Sequence, residues 1–207
     1  MIYGQSGIGK TSILGTLPLN ETLIISAESG LLCLQDKSID VLEAKSYEAV
    51  RGAFSYLVTG KDEGKYKFVC IDSLTEISDL LVKNLKAKDE YKNPSNALKL
   101  WGEFSETMIG LIKAFRDLDR HIVFTALADD VNDGGIITKK PMIAGNKAQQ
   151  LMPSFFDEVF YLTIDQENER VIHSQPTHSF IAKDRSGKLS STEPANLTLI
   201  INKIQGK

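Results

Sequence analysis

The chain has 207 residues, enough to bury a sizeable core within one domain. Its 42% hydrophobic and 25% charged residues exclude a disordered or fibrous chain, and no apolar run approaches the roughly 18 residues that span a bilayer, so no membrane partner is expected. The formal net charge of −3 excludes a wholly basic coat for nucleic acid but leaves room for a local basic path.

Met1-Ile2-Tyr3 is a short apolar run ending at Gly4, and reads as the end of a strand. It either is a very short strand or continues a longer one upstream, since strands usually run about five or six residues. The next residues, Gly4-Gln5-Ser6-Gly7-Ile8-Gly9-Lys10-Thr11, fit G-x-x-x-x-G-K-[ST], the phosphate-binding P-loop. Its glycines permit a tight turn whose N–H groups face phosphate oxygens. Lys10 is expected to neutralise the β- and γ-phosphates and Thr11 to offer its hydroxyl to Mg²⁺. Ser12 joins the same cradle. A helix predicted over Thr11–Leu17, stopped by Pro18, aims its positive end at the phosphates. ATP and Mg²⁺ are the expected cofactors.

Leu23 to Ala27 reads as a buried strand ending in Glu28-Ser29-Gly30, and Ile39 to Leu42 as another. Tyr47 to Val58 has helical periodicity through Tyr47, Val50, Phe54 and Leu57. Phe68 to Ile71 is a third strand, followed by helices over Leu74–Leu85 and Leu98–Leu118 and a fourth strand over Ile122–Leu127. Strands that are near-continuous apolar runs, alternating with helices, predict an α/β fold with a mostly parallel sheet flanked by helices. Residues 129–145 show little periodicity and read as a loop, ahead of a short helix over Asn146–Met152. Short strands near 158–162, 170–173 and 180–182 suggest a β-meander at the sheet edge, and Leu197–Ile204 fits strand or helix. The expected organisation is a single domain with a nucleotide-binding core at 1–127, a loop and helix at 128–150, and edge strands with a C-terminal segment at 151–207. Cys33 and Cys70 lack metal-ligand spacing and read as small core residues in a reducing cytoplasm, with no signal peptide ahead of the loop.

Phe68-Val69-Cys70-Ile71-Asp72 has the Walker B pattern, a buried apolar strand closed by an acid that holds the Mg²⁺ shell. Asp72 or Ser73 also suits the N-cap of the next helix. Hydrolysis needs a carboxylate to orient or deprotonate water. The residue after Asp72 is Ser73, so that carboxylate lies elsewhere: at Glu28, which ends the strand after the P-loop helix, or at Glu76, in the first turn of the next helix. Glu28 is favoured, because ligands of parallel α/β sheets gather at the carboxyl ends of strands.

The order of P-loop, helix, strand ending Ala27-Glu28 and strand ending Ile71-Asp72-Ser73 resembles the RecA family of recombination ATPases. In that family the catalytic glutamate occupies the place of Glu28, and a mobile DNA-contacting loop leads into a Gly-Asn helix start, as residues 129–145 lead into Gly145-Asn146. Lys183-Asp184-Arg185 is similar to a Lys-x-Lys pair that reaches a neighbouring subunit's ATP site, so the resemblance gives Lys183 and Arg185 a catalytic role in trans. Gly145-Asn146-Lys147 and Ala182-Lys183-Asp184-Arg185-Ser186-Gly187 look most like the phage single-strand-annealing ATPases of the Sak group, labelled AAA-type. The resemblance implies ATP-dependent action on single-stranded DNA during recombination or annealing, a homo-oligomer with the ATP site between subunits, a single-strand DNA-binding protein as a further partner, and the host cytoplasm as location.

Lys139, Lys140 and Lys147 flank the loop and are the candidate DNA contacts, although Asp129, Asp130 and Asp133 share the segment. The family's γ-phosphate-sensing glutamine is missing: Thr125, Ala126 and Leu127 stand there, with Thr125 able to contact phosphate or water. That departure, with the sparse basic loop, keeps open a nucleotide-gated interaction module or loader with little turnover.

Overall fold

The structure, a computed structural model, describes residues 1–28 and 30–207, with every side chain among them but that of Asp133. β1 (Ile2–Gly4) runs through the phosphate loop into α1 (Lys10–Leu14), which ends at Gly15, before the predicted stop at Pro18. β2 (Thr22–Ser26) and β3 (Asp40–Glu43) follow. α2 (Tyr47–Val58) starts on Ser46, whose hydroxyl accepts from the Ala49 N–H at 3.1 Å. β4 (Phe68–Asp72) leads directly into α3 (Leu74–Lys86), and α4 (Ala97–Arg116) is the long helix.

β5 (His121–Asp133) departs from expectation. It continues past Leu127 and returns as β6 (Ile136–Pro141), so most of the 129–145 stretch is a hairpin and not a loop. Register pairs run from Ala128 opposite Pro141 to Asp133 opposite Ile136. The two turn residues, Gly134 and Gly135, have φ of 60° and 93°, the left-handed pair that a two-residue hairpin turn requires. The Gly-Gly signal was present in the sequence, but the polar strands around it masked the alternation. The chain continues through α5 (Asn146–Leu151), β7 (Glu158–Ile164), β8 (Arg170–His173), β9 (Lys183–Asp184) and β10 (Thr192–Pro194). The strand expected at 180–182 falls instead at Lys183–Asp184. The ambiguous 197–204 segment is helix α6 (Leu197–Gln205), because Asn196 caps it by accepting from the Leu199 N–H at 3.1 Å.

Strand order across the sheet is β10-β8-β7-β1-β5-β4-β2-β3, with β6 on β5 and β9 on β7. β3, β2, β4, β5, β1 and β7 run parallel; at one edge β8 runs antiparallel to β7, and β10 antiparallel to β8. Alternating side chains serve two cores. Ile25, Ile71 and Phe124 meet Val50 and Leu57 of α2, Ile77 and Leu81 of α3 and Met108 and Phe115 of α4. Ile2, Ile24, Cys70 and Val123 face the other way, onto Ile13 and Leu14 of α1 and Leu197 and Ile200 of α6. Burial on both faces explains why the central strands lack polar alternation. Cys70 is buried as expected, whereas Cys33 is exposed on a short 3₁₀ turn and belongs to no core. Among the described residues no helix is long and apolar enough to cross a membrane.

Phe124 anchors the α2–α4 side. It is 1% exposed and meets Phe115 and Phe156 edge-on, at centroid distances of 6.2 and 5.3 Å. Phe124→Ala is expected to cost about 3–5 kcal/mol, read as a lower urea midpoint at unchanged slope.

Candidate nucleotide site

Parallel register collects the sequence motifs at one edge of the sheet. Gly4 ends β1, and Ser26 at the end of β2 pairs with Asp72 at the end of β4. Ile71 pairs with Phe124, so the next residue of β5, Thr125, stands beside Asp72. The connections after these strands leave at their carboxyl ends, where open α/β sheets bind ligands.

Gly7 and Gly9 take φ of 76° and 105°, which only glycine adopts without strain, and fold the chain back around Lys10. The Lys10 ammonium is buried and donates to the carbonyls of Gly4 at 3.1 Å and Gln5 at 2.9 Å. Burial lowers its pKa, while the nearby charges of Glu28 and Asp72 act to raise it. A cation held at the mouth of a loop of backbone N–H groups is suited to polyphosphate.

Asp72 is 2% exposed, and both its carboxylate oxygens are engaged. Oδ2 accepts from Thr11 Oγ1 at 2.9 Å, and Oδ1 accepts from the fully buried hydroxyl of Thr125. Burial pushes the Asp72 pKa up, the two hydroxyls draw it back down, and the negative charge of Glu28 pushes it up again. Thr125 therefore acts on the carboxylate, whereas its sequence position had suggested contact with phosphate or water. Ser73 has two tasks. Its hydroxyl caps α3 by accepting from the Glu76 N–H at 3.4 Å, and it donates to Glu28 Oε1. The position where related ATPases often carry a carboxylate thus orients one from the neighbouring strand. Glu76 is half-buried on α3.

Mg²⁺ prefers oxygen donors and usually takes one or two from protein, completing its octahedron with phosphates and water. Among the described residues no group of three His, Cys, Asp or Glu converges as a metal cage. The adjacent Thr11 hydroxyl and Asp72 carboxylate fit such a partial shell, and a bound Mg²⁺ would neutralise charge developing on the phosphates.

Other predicted residues are not brought here. Lys183 and Arg185 lie against the start of β7, since Val159 pairs with Lys183 while Phe160, one residue on, pairs with Ile2. That is the opposite end of the sheet from the loop after Gly4. Lys183 Nζ donates to the Phe156 carbonyl at 2.6 Å, and Arg185 Nη1 pairs with Asp157 at 2.6 Å. Burial lowers the Lys183 pKa, and Arg185 lowers it further. Lys139 and Lys140 lie on the β6 arm of the hairpin, where Lys139 Nζ pairs with Asp130 at 2.5 Å, and Lys147 is exposed on α5. The side chain of Asp133 is outside the described residues. One contact had no sequence signal: Arg170, the first residue of β8, donates from Nε to the Ile8 carbonyl of the loop at 2.9 Å.

A doubly covered parallel sheet with a P-loop, and with a buried aspartate held by the loop's threonine at the carboxyl end of its strand, defines a P-loop nucleotide hydrolase. Residues 1–186 match the protein family described as AAA domain, and the chain belongs to that family of ATPases. Among solved structures it is similar to a prototypical ATPase from the type III secretion system of pathogenic bacteria, with a TM-score of 0.55 at 18% identity over 90% of this chain. The chain spans 57% of the length of that protein. A KaiC-like protein from the hyperthermophilic archaeon Pyrococcus horikoshii OT3 matches with a TM-score of 0.42 at 13% identity, over 87% of this chain and 81% of its own. No curated protein matches the sequence.

Thr125→Val deletes the donor on Asp72 Oδ1 and keeps the shape. It is expected to raise the Mg²⁺ concentration for half-maximal turnover about ten-fold, as losses behind a metal ligand do. Thr125→Ser should restore it in a Mg²⁺ titration of ATPase activity.

Proposed function

We propose that this chain is a RecA-like ATPase of phage recombination, of the Sak single-strand-annealing group, that hydrolyses ATP while acting on single-stranded DNA. The observation that carries this reading is the placement of Glu28. It follows β2, beside the strand that ends in Asp72, and its carboxylate is held by Ser73. ATP would lie on Gly4–Ser12, with Mg²⁺ between Thr11 and Asp72, Lys10 on the β- and γ-phosphates, and Glu28 orienting or deprotonating the attacking water. Glu28 is among the charges that act on both Lys10 and Asp72, and Glu76 is not.

β5 supports coupling to a bound strand. It holds Asp72 through Thr125 and continues without a break into the projecting hairpin. Lys139, Lys140 and Lys147 would meet DNA phosphates. Lys183 and Arg185, at the opposite end of the strands from their own loop, suit a role in a second copy's site, which makes a homo-oligomer the working form. A single-strand DNA-binding protein is a fitting further partner, and the host cytoplasm the place of action.

One observation favours the second reading, a nucleotide-gated interaction module or loader. Lys139 is already paired with Asp130, while Ile136 and Ile137 at the hairpin tip are 60% and 58% exposed, a surface better suited to protein than to phosphate.

ATP turnover measured with and without single-stranded DNA, across protein concentration, separates the two. The first reading expects stimulation that grows with assembly, and DNA binding that weakens steeply with salt. Absence of stimulation together with no DNA retention at low salt overturns it in favour of the module. Within the site, Glu28→Gln should keep ATP affinity and reduce turnover by about a hundred-fold or more. If Glu76→Gln does so instead, the water-positioning role belongs to α3.

A further inference from the structure

Beyond the apolar packing of Ile8 and Gly4 on this side of the sheet, the β7–β8 hairpin reaches the phosphate loop with one polar side chain. Arg170 stands opposite Ile164 in the register of the two strands, and its Nε–H donates to the Ile8 carbonyl at 2.9 Å. The guanidinium lies against Gly9: a Cβ built on that glycine would meet Arg170 Nε at 2.5 Å, with Cδ and Cζ at 3.0 Å. Gly9 is therefore required for its φ of 105° and for the room it leaves to Arg170. The hairpin end that presents the arginine is itself well tied. Asp165 Oδ1 accepts from the N–H groups of Glu167 and Glu169, both at 2.9 Å, and the Asp165 N–H donates to the Glu169 carbonyl at 2.9 Å.

The peptide bond is planar and trans, so the carbonyl of Ile8 and the N–H of Gly9 point in opposite directions from one rigid plate. Fixing one fixes the other. With the carbonyl held by Arg170, the Gly9 N–H is fixed on the opposite side of the plate, and among the described residues it has no hydrogen-bond partner. Without an anchor a glycine-rich loop flips such peptides freely, and each flip would replace a donor aimed at phosphate with a carbonyl oxygen that repels it. Holding a long, exposed side chain in one geometry costs rotamer entropy, and no other hydrogen bond of the Arg170 side chain to the described residues offsets it.

We propose that Arg170 is a positioning residue for nucleotide binding, through which the β7–β8 hairpin sets the orientation of the Ile8–Gly9 peptide in the phosphate loop. The requirement is for a donor at the ε position and not for a positive charge. Glutamine places its amide nitrogen at the same point along the side chain as arginine Nε, whereas lysine has a methylene there and its charge one atom further out.

The test is titration calorimetry of Mg–ADP, and of Mg–ATP in a Glu28→Gln background, on the full chain. Arg170→Ala and Arg170→Lys are expected to weaken both nucleotides by about ten-fold, the worth of one hydrogen bond from a charged donor, while Arg170→Gln stays within about three-fold of the parent. Rescue by Lys and not by Gln would overturn the proposal in favour of direct charge contact with the nucleotide. A loss confined to ATP would overturn it in favour of a γ-phosphate ligand, and unchanged affinity in Arg170→Ala would leave the contact as packing. Asp165→Ala loosens the hairpin end without touching the loop, so it should weaken both nucleotides more mildly, and add nothing in the Arg170→Ala background. Should the Arg170 variants fail to fold, unchanged affinity in Asp165→Ala overturns the proposal by itself. Failure of the parent to bind nucleotide would remove the site and the brace together, whereas parent binding with indifferent variants removes the brace alone.

Discussion

Asp72 brings a carboxylate into the layer between the sheet and α1, where burial disfavours its charge. The fold keeps that group usable by surrounding it with donors drawn from separate parts of the chain. Thr11 arrives from the phosphate loop and Thr125 from β5, while Lys10 supplies opposite charge from the same loop. Much of the architecture follows from that requirement. The register of β4 against β5 puts Thr125 at the right level, the start of α1 directly after the loop places Thr11 beside Asp72, and the parallel order of β1, β5, β4 and β2 gathers all of these groups at one edge.

The chemistry of this edge was largely legible in the sequence, because its parts are local. The P-loop is eight consecutive residues, and Asp72 closes an apolar strand in plain view. The α/β alternation was equally clear, since apolar runs of this length between helical stretches have few other uses. Contacts between distant segments escaped. Nothing near Arg170 announces that it will lie on Gly9, and nothing near Ser73 announces that its hydroxyl will hold Glu28. Thr125 was noticed only as a replacement for glutamine, and its partner became visible once the register of β5 was known. The hairpin was misread for a different reason. Its strands carry Asp, Asn, Lys and Thr because they lie half-exposed outside the doubly covered sheet, the β6 arm resting on the backbone of Ser179 and Ile181, so the apolar alternation that identifies a strand is absent.

The two faces of the sheet differ in how they are built. α2, α3 and α4 bury long apolar stripes in one large cluster that also takes in Ile143, Met152 and Phe156. The nucleotide side rests on α1, a helix of five residues that could not persist alone. It is held by α6: the Leu197 N–H donates to Thr16 Oγ1 at 2.9 Å, and Thr198 Oγ1 donates to the Thr16 carbonyl at 2.6 Å. A strong scaffold thus backs a weaker functional layer, in keeping with the lower local stability that binding elements usually have.

The central place of β1 has a consequence for the order in which the molecule is completed. Its residues are made well before their sheet partners, which are Thr125–Leu127 on one side and Phe160–Tyr161 on the other. The helix that props α1 comes later still. During translation the phosphate loop therefore waits, unpaired, while the α2–α4 half assembles behind it, and non-local pairing of this kind is slow because a large loop must close first. The phosphate loop is therefore framed only when late-made segments have closed around early-made ones, so its geometry depends on long-range closure of the sheet and α6.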